Sequence, residues 1–382
     1  MKSIQAKDQQ LKSDFAELLA SRNMSNGRKR DPMAAIRSNI ASSALTQTIA
    51  DERIPTLQAV LDPHELGRHL DRVLAAQLGK VQDIQINVLQ RRHRRRCTVD
   101  ITLQTSTGKH ELIGKVYAED RSDVYHAMKR INQSGFGPEA EFSIPQPFAF
   151  IPELNLLLQE KVQGPLATEI FLTGNESEQA GAAKRCALWL AHCHMRAPMS
   201  GPVFVSTHEL LEHWMHQKLL EHWLRRVTKR AGPQAGQLID KAALLFKLLE
   251  IAALKHDRVE MRACHGTYCH YQIIASEART VTLDWDSFCV AHPSLDIARF
   301  IIVLQQLALN SHGSLRALDA ASEVFCKTYI ATTGIDVTRH LAFYKAAHCF
   351  KHTRDYLKRD DVRPERAELM LDEGLRILSE EM

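Results

Sequence analysis

The chain reads as an α+β protein in two unequal parts, a small strand-rich part with one long helix and a larger helical part that carries a single hairpin. Three observations predict this. Between residues 81 and 118 three segments rich in β-branched residues follow one another. From about residue 165 onward the apolar residues recur at helical spacing almost without a break. One interruption of that pattern, residues 264–286, holds two short apolar runs about a polar turn. Composition agrees: 45% hydrophobic and 25% charged residues suit a globular core. A formal net charge of +4 over 382 residues is too small for a dedicated nucleic-acid or membrane-surface binder.

In chain order, residues 1–55 read as an N-terminal extension, partly helical or disordered. Leu11, Phe15, Leu18 and Leu19 recur at helical spacing, and the polar, basic stretch after them is broken by Gly27 and Pro32. The cluster Arg28-Lys29-Arg30 reads as a solvated hinge. A helix is expected over 64–79, ending at Gly79. Strands follow at 81–90, 97–105 and 110–118; in the second, Val99, Ile101 and Leu103 alternate with polar neighbours. The arginine-rich run 91–96 and a Ser-Thr-Gly turn ending at Gly108 join them. A helix over 122–133 stops at the Gly135-Phe136-Gly137-Pro138 breaker, and a buried strand in the segment 153–164 leaves at Gly164. Helices are then expected at 178–195, 208–230, 234–256, 295–310, 314–332, 338–357 and 363–380. The repeated LLEHW at 210 and 219 is no structural repeat, because nine residues turn a helix by about 900° and place the copies on opposite faces. Trp214 and Trp223 there are core residues by default. The resulting division is 1–55, 56–160 and 161–382.

The eight cysteines show no CxxC spacing, the first residues lack a secretory pattern, and no stretch approaches the roughly 18 apolar residues of a membrane span. Free thiols and a cytoplasmic location are expected. The clusters His192-Cys193-His194, Cys264-His265 and Cys269-His270 do not have zinc-site spacing and read as buried thiols and capped histidines.

Chemistry concentrates in residues 263–300. A His265-Gly266 turn leads into one strand, and a second strand ends in Asp284-Trp285-Asp286. A hairpin of this kind brings two loops together at one end, so that polar groups of the first face carboxylates of the second. Phosphoryl transfer needs such a layout, with oxygen ligands for Mg²⁺ and cations for phosphates. The segment runs His265-Gly266-Thr267, four residues, Gln272, then Leu283-Asp284-Trp285, then His292-Pro293-Ser294-Leu295-Asp296-Ile297-Ala298. It resembles the catalytic core of the aminoglycoside phosphotransferase and choline kinase-like family, relatives of the protein kinases. Their pattern is HGD, four residues, Asn, a strand ending in IDW or IDF, then DPxxDLA.

The resemblance implies a protein kinase-like two-lobed fold that binds ATP and Mg²⁺ and phosphorylates a hydroxyl of a small-molecule acceptor. It gives Lys115, in the middle of LIGKVYA, the α- and β-phosphates, and gives the Glu160-Lys161-Val162 segment the adenine through its backbone at Glu160 and Val162. It gives Asp284 the Mg²⁺, and Gln272 the second ligand position, with one methylene more than the usual asparagine. His265 becomes the scaffold of the catalytic loop, and Asp296 its buried anchor.

Three departures stand out. Thr267 occupies the position of the catalytic aspartate, and a hydroxyl cannot take a proton at neutral pH as a carboxylate can; general-base help is typically worth about 10²–10⁴-fold. A loose transition state asks less of a base, so slow turnover with Thr267, His265 and Asp284 as the catalytic set is compatible with the sequence; Asp286 or His270 would have to substitute as base. The helix glutamate that normally pairs with the lysine is also missing, only Asp123 being available, and no glycine-rich phosphate loop joins the first two strands. Arginines stand there instead, and guanidinium groups such as Arg94 and Arg96 can cover a nucleotide or recruit an anionic substrate. The alternative is a pseudokinase-like nucleotide-binding or scaffolding protein, with a protein partner docked on the N-terminal extension or the arginine turn.

Overall fold

The computed structural model describes residues 53–92, 95–207, 209, 232, 235–255, 260–276, 278–358 and 361–381. The amphipathic segment around Leu11, the basic cluster at Arg28, residue Arg94, and the expected helix over 208–230 with Trp214 and Trp223 lie outside the described residues. Among the described residues ten α-helices and a five-stranded antiparallel sheet form a mixed α+β fold, as the sequence predicts.

A short helix that the sequence does not announce, α1 (Leu57–Leu61), precedes α2 (Pro63–Leu78). Asp62 caps α2 by accepting from the amides of His64 and Glu65, and Pro63 takes the first helical position, where its missing N–H costs nothing. Leu66, Leu70, Leu74 and Leu78 form its buried stripe, each contributing about 1.5–3 kcal/mol by burial. Strands β1 (Val81–Arg92), β2 (Arg96–Thr105) and β3 (Gly108–Tyr117) follow as a meander, with Thr98 opposite Lys115 and Arg96 opposite Tyr117.

Strand alternation then sorts the side chains. Cys97, Val99, Ile101 and Leu103 meet the α2 leucines in one core, while Arg96, Thr98, Lys115 and Tyr117 leave from the opposite face. Gly114 permits close packing here, because a Cβ would lie 2.8 Å from a Val99 methyl.

The helix α3 (Ser122–Ile131) passes into a wider turn over 132–136, where Gly135 takes a φ of +105°. Strand β4 (Phe142–Ser143) and the edge strand β5 (Pro147–Ile151) come next, and β6 (Leu156–Glu160) inserts between β3 and β5.

The helical part starts with α4 (Ala167–Thr173) and α5 (Glu176–Arg196). Asn175 and Glu178 form a reciprocal capping box that starts α5 two residues before the expected position. After α6 (Ala235–Lys255), β7 (Arg262–Cys264) leads to the hairpin β8 (Ile273–Ala275) and β9 (Thr280–Thr282). β4 joins β9 in parallel, and β10 (Cys289–Ala291) pairs with β7. The helices α7 (Ser294–His312), α8 (Asp319–Thr333), α9 (Thr338–Thr353) and α10 (Pro364–Glu381) complete the order. Two expected boundaries are corrected. α8 starts at Asp319 rather than 314, and α9 stops at Thr353, where a 3₁₀ turn and the small pair β11 (Leu357–Lys358) and β12 (Asp361–Val362) replace its last turn. No helix among the described residues is long and apolar enough to cross a membrane.

Candidate active site

The loop between β7 and β8 is held from beneath by Asp296, in the first turn of α7. Its fully buried carboxylate accepts from the amides of His265 at 2.7 Å and Gly266 at 2.9 Å, and contacts His194 Nε2 at 3.2 Å. Burial alone would raise its pKa, but these hydrogen bonds and the neighbouring imidazoles outweigh that and hold it below the usual carboxylate range. Gly266 is required on two counts: its φ is +79°, and a Cβ would sit 2.1 Å from the carbonyl oxygen of Ser287. His194, Cys264 and Asp296 bring potential ligand atoms within 4.8 Å of one another. Each has a protein partner, however: the Cys264 thiol donates to Ala291 O at 3.5 Å, and burial pushes that thiol well above its ordinary value. The trio is a loop anchor.

His265 is buried, which lowers its pKa, so the ring is neutral. Its Nε2 donates to the Leu283 carbonyl at 2.9 Å, which leaves Nδ1 as an acceptor. The Thr267 hydroxyl and amide both lie 3.3 Å from that Nδ1. Gln272 Nε2 stands 3.4 Å from Thr267 Oγ1, and its Oε1 accepts from the Cys269 thiol at 3.0 Å. His270 faces the other way: its Nδ1 contacts Thr168 at 2.8 Å, and burial lowers it to about 4.

The end of β9 faces the sheet. Asp284 adopts the left-handed conformation at φ +65°, which aspartate tolerates better than most residues. Lys115 Nζ donates to Asp284 and to Asp286, each at 2.9 Å. Arg96 Nη1 donates to Asp284 at 2.7 Å and also bonds Asp286. The Tyr117 hydroxyl adds a bond to Asp286 at 3.0 Å, and Arg121, at the start of α3, donates to the Asp286 carbonyl at 2.9 Å. Lys115 is 5% exposed and Arg96 6%, so the strand face that carries them is covered. Burial pushes the Asp284 carboxyl up, but the Lys115 ammonium and Arg96 guanidinium overcome this and hold it far below the usual range.

The fold therefore brings Lys115, Arg96, Asp284, Thr267, His265 and Gln272 to one end of the hairpin. Glu160 and Val162 stand apart from that cluster, at the end of β6. Glu160 bonds Arg279 and accepts from the Gln146 amide at 3.1 Å, and the Lys161 ammonium turns to Asp100 at 2.9 Å. Sequence reasoning left Lys115 without a partner; the structure supplies two carboxylates. The signal for Asp286 was its place two residues beyond Asp284, and for Tyr117 its shared face with Lys115. Arg121 had no such signal.

The model of the phosphotransferase enzyme family matches residues 102–324, more than half of the chain. The chain belongs to the phosphotransferase enzyme family. No curated protein sequence matches it. A glucosamine kinase in complex with glucosamine, ADP and inorganic phosphate superposes with a TM-score of 0.56 at 14% identity, over 84% of this chain and 87% of that one. A thermostable mutant aminoglycoside phosphotransferase, in ternary complex with ADP and hygromycin B, gives 0.53 at 13%, over 81% and 98%. Choline kinase from Cryptosporidium parvum Iowa II gives 0.53 at 11%, over 78% and 89%. Identities this low establish the fold, which is the two-lobed protein kinase-like one.

This phosphotransferase has the donor types that a hard divalent cation requires, two carboxylates and an amide oxygen. Asp284 Oδ1 is shared by Arg96 and Lys115, whereas among the described residues the ion-pair partner of Oδ2 is the more distant Arg92 at 3.8 Å. By donor type the residues present fit Mg²⁺: Asp284 Oδ2 would hold it, and the Gln272 amide oxygen, which accepts from the Cys269 thiol, would be the second ligand.

Proposed function

We propose that the chain is an ATP-dependent phosphotransferase that phosphorylates a hydroxyl of a small molecule. The observation that carries this reading is the Lys115–Asp284 contact at 2.9 Å, which joins the sheet to the turn beyond β9; the His265–Leu283 bond ties that turn to the loop anchored by Asp296. Lys115 and Arg96 offer two cations to the phosphates, and the backbone at Glu160 and Val162 receives the adenine. Asp284 with Gln272 would hold Mg²⁺, which when bound supplies charge neutralisation for the transferring group. Thr267 receives the acceptor: its hydroxyl donates to His265 Nδ1 and accepts from Gln272 Nε2, which leaves one oxygen lone pair for the substrate O–H. As the substrate proton passes to Thr267, the threonine's own proton passes to His265. Burial disfavours the resulting imidazolium, so the relay is weaker than a carboxylate and turnover is slow. Eight cysteines, none of them in a disulfide, suit a reducing, cytoplasmic setting.

Equilibrium binding of ATP with and without Mg²⁺, in wild type, Lys115→Ala and Asp284→Ala, tests the site. Magnesium-dependent binding lost in both variants is expected, and absence of binding to the wild type overturns the reading. One observation favours a second reading, a pseudokinase: Asp284 and Asp286 are already neutralised by Arg96 and Lys115. ATP binding without any phosphorylated product, whatever the acceptor, would select it.

A further inference from the structure

The helical part buries a cation that has no carboxylate ion-pair partner among the described residues. Arg299, three residues beyond Asp296 on α7, is 6% exposed. Its Nη2 donates to the Tyr271 hydroxyl at 3.0 Å and its Nη1 lies 3.1 Å from His352 Nε2. His352 Nδ1 contacts the Asp355 carboxylate at 2.8 Å. Nδ1 therefore carries the hydrogen and Nε2 accepts, in a ring that burial keeps neutral, with a pKa near 4. The buried Nε of Arg299 has no partner, and among the described residues no carboxylate forms an ion pair with this guanidinium. Asp355 is linked to it through the imidazole. The surroundings add positive charge: burial first, then Arg299 and Arg354, lower the half-buried Lys351 to about 7. A guanidinium cannot lose its proton, and neutral acceptors return only part of what its desolvation costs.

The cation lies next to the chemistry. Tyr271 belongs to the loop that carries Thr267 and Gln272, and Arg299 also interacts with Cys269, whose thiol donates to Gln272 Oε1 at 3.0 Å. Tyr271 itself is 44% exposed, so its ring can leave Arg299 without opening the core.

We propose that Arg299 is the anion-binding group of the acceptor site, so that the substrate carries a carboxylate or phosphate beside the hydroxyl to be phosphorylated. The anion takes the place of the Tyr271 hydroxyl on Arg299 and supplies the missing counterion. The acceptor role rests on the phosphotransferase reading; anion binding does not.

Calorimetry on the full chain tests this, with ADP saturating the nucleotide cleft so that its cations do not compete. The probes are glycerate, glycerophosphate, glycerol and ethanolamine. Binding of glycerate or glycerophosphate but of neither uncharged glycerol nor cationic ethanolamine is expected, and the anion that binds names its source. Arg299→Gln weakens that binding by about tenfold or more, the scale of a lost charge-assisted hydrogen bond, and leaves ADP binding unchanged. Without anion, Arg299→Gln unfolds no earlier than wild type, because it removes an uncompensated buried charge. Tyr271→Phe keeps the fold and binds the anion more tightly, having no hydroxyl to displace. Equal affinity in wild type and Arg299→Gln, absence of anion binding, or earlier unfolding of the anion-free variant overturns the proposal. Arg299-dependent anion binding in a protein that neither binds ADP nor turns over ATP would overturn the phosphotransferase reading and leave the anion site standing.

Discussion

Thr267 stands where the HGD pattern of the resembling family has its aspartate, and a hydroxyl lacks the chemistry of a base. Its nearest proton acceptor is His265 Nδ1, at 3.3 Å in a buried, neutral ring. A carboxylate at this position would take the substrate proton directly and would find the Gln272 amide, now 3.4 Å from Oγ1, as a donor. Thr267→Asp is therefore expected to raise slow ATP turnover by about 10²–10⁴-fold, the usual worth of a general base. ADP release followed in a coupled assay measures this, and an unchanged rate would mean that proton removal does not limit turnover. The neighbouring Gly266 is fixed by geometry rather than by chemistry. Gly266→Ala places a Cβ 2.1 Å from Ser287 O at a φ of +79°, and the backbone conformation alone costs about 1–3 kcal/mol. Chemical denaturation should register at least that loss, with ATP turnover lost because the loop can no longer lie against the turn that carries Ser287.

At the scale of elements, the site depends on which face of β2 and β3 looks where. The register that sets Thr98 opposite Lys115 puts Arg96 two residues away on the same face, so two cations meet the two carboxylates beyond β9. This much was legible: the alternation of Val99, Ile101 and Leu103 assigns the core face, and Lys115 then belongs to the other. Partner choice was not legible, because Lys115 and Asp284 are separated by 169 positions and only tertiary packing brings them together. The same limit hid the β7–β10 pair, whose strands are three residues each and too short to carry a period. Arg96 has a consequence at this scale. It competes for the carboxylates that would bind a divalent cation, yet it also offers positive charge to phosphates. Arg96→Met should accordingly weaken ADP binding in the absence of metal and strengthen its dependence on Mg²⁺. Calorimetric titrations with and without Mg²⁺ check both signs; ADP affinity unaffected by the substitution in either condition would remove Arg96 from the nucleotide site.

Across the whole molecule, the long described helices of the helical part were readable because they repeat apolar residues over many turns, and the central α7 is apolar nearly all round. Its ends were harder to place, since α9 stops at Thr353 without a glycine or proline to mark it. What no periodicity reveals is how many imidazoles that packing encloses. His265, His270, His348 and His352 all have pKa values lowered chiefly by burial, His270 and His352 to about 4. In the unfolded chain each titrates near 6.5. Between those values the unfolded state binds more protons than the folded one, so stability falls as pH falls, by about 1.4 kcal/mol per pH unit for each histidine fully displaced. Asp284 and Asp296 act later, because their depressed pKa values withdraw stability only once the pH drops below the range where unfolded carboxylates titrate, about 4. Acid unfolding should therefore begin near pH 6, well above the carboxylate range. Urea midpoints measured between pH 7.5 and 5 provide the check, and His270→Asn should lessen the slope by about one proton. A midpoint that stays level over that interval would mean the folded protein accepts these protons, and the helical core would then be open to water around its histidines.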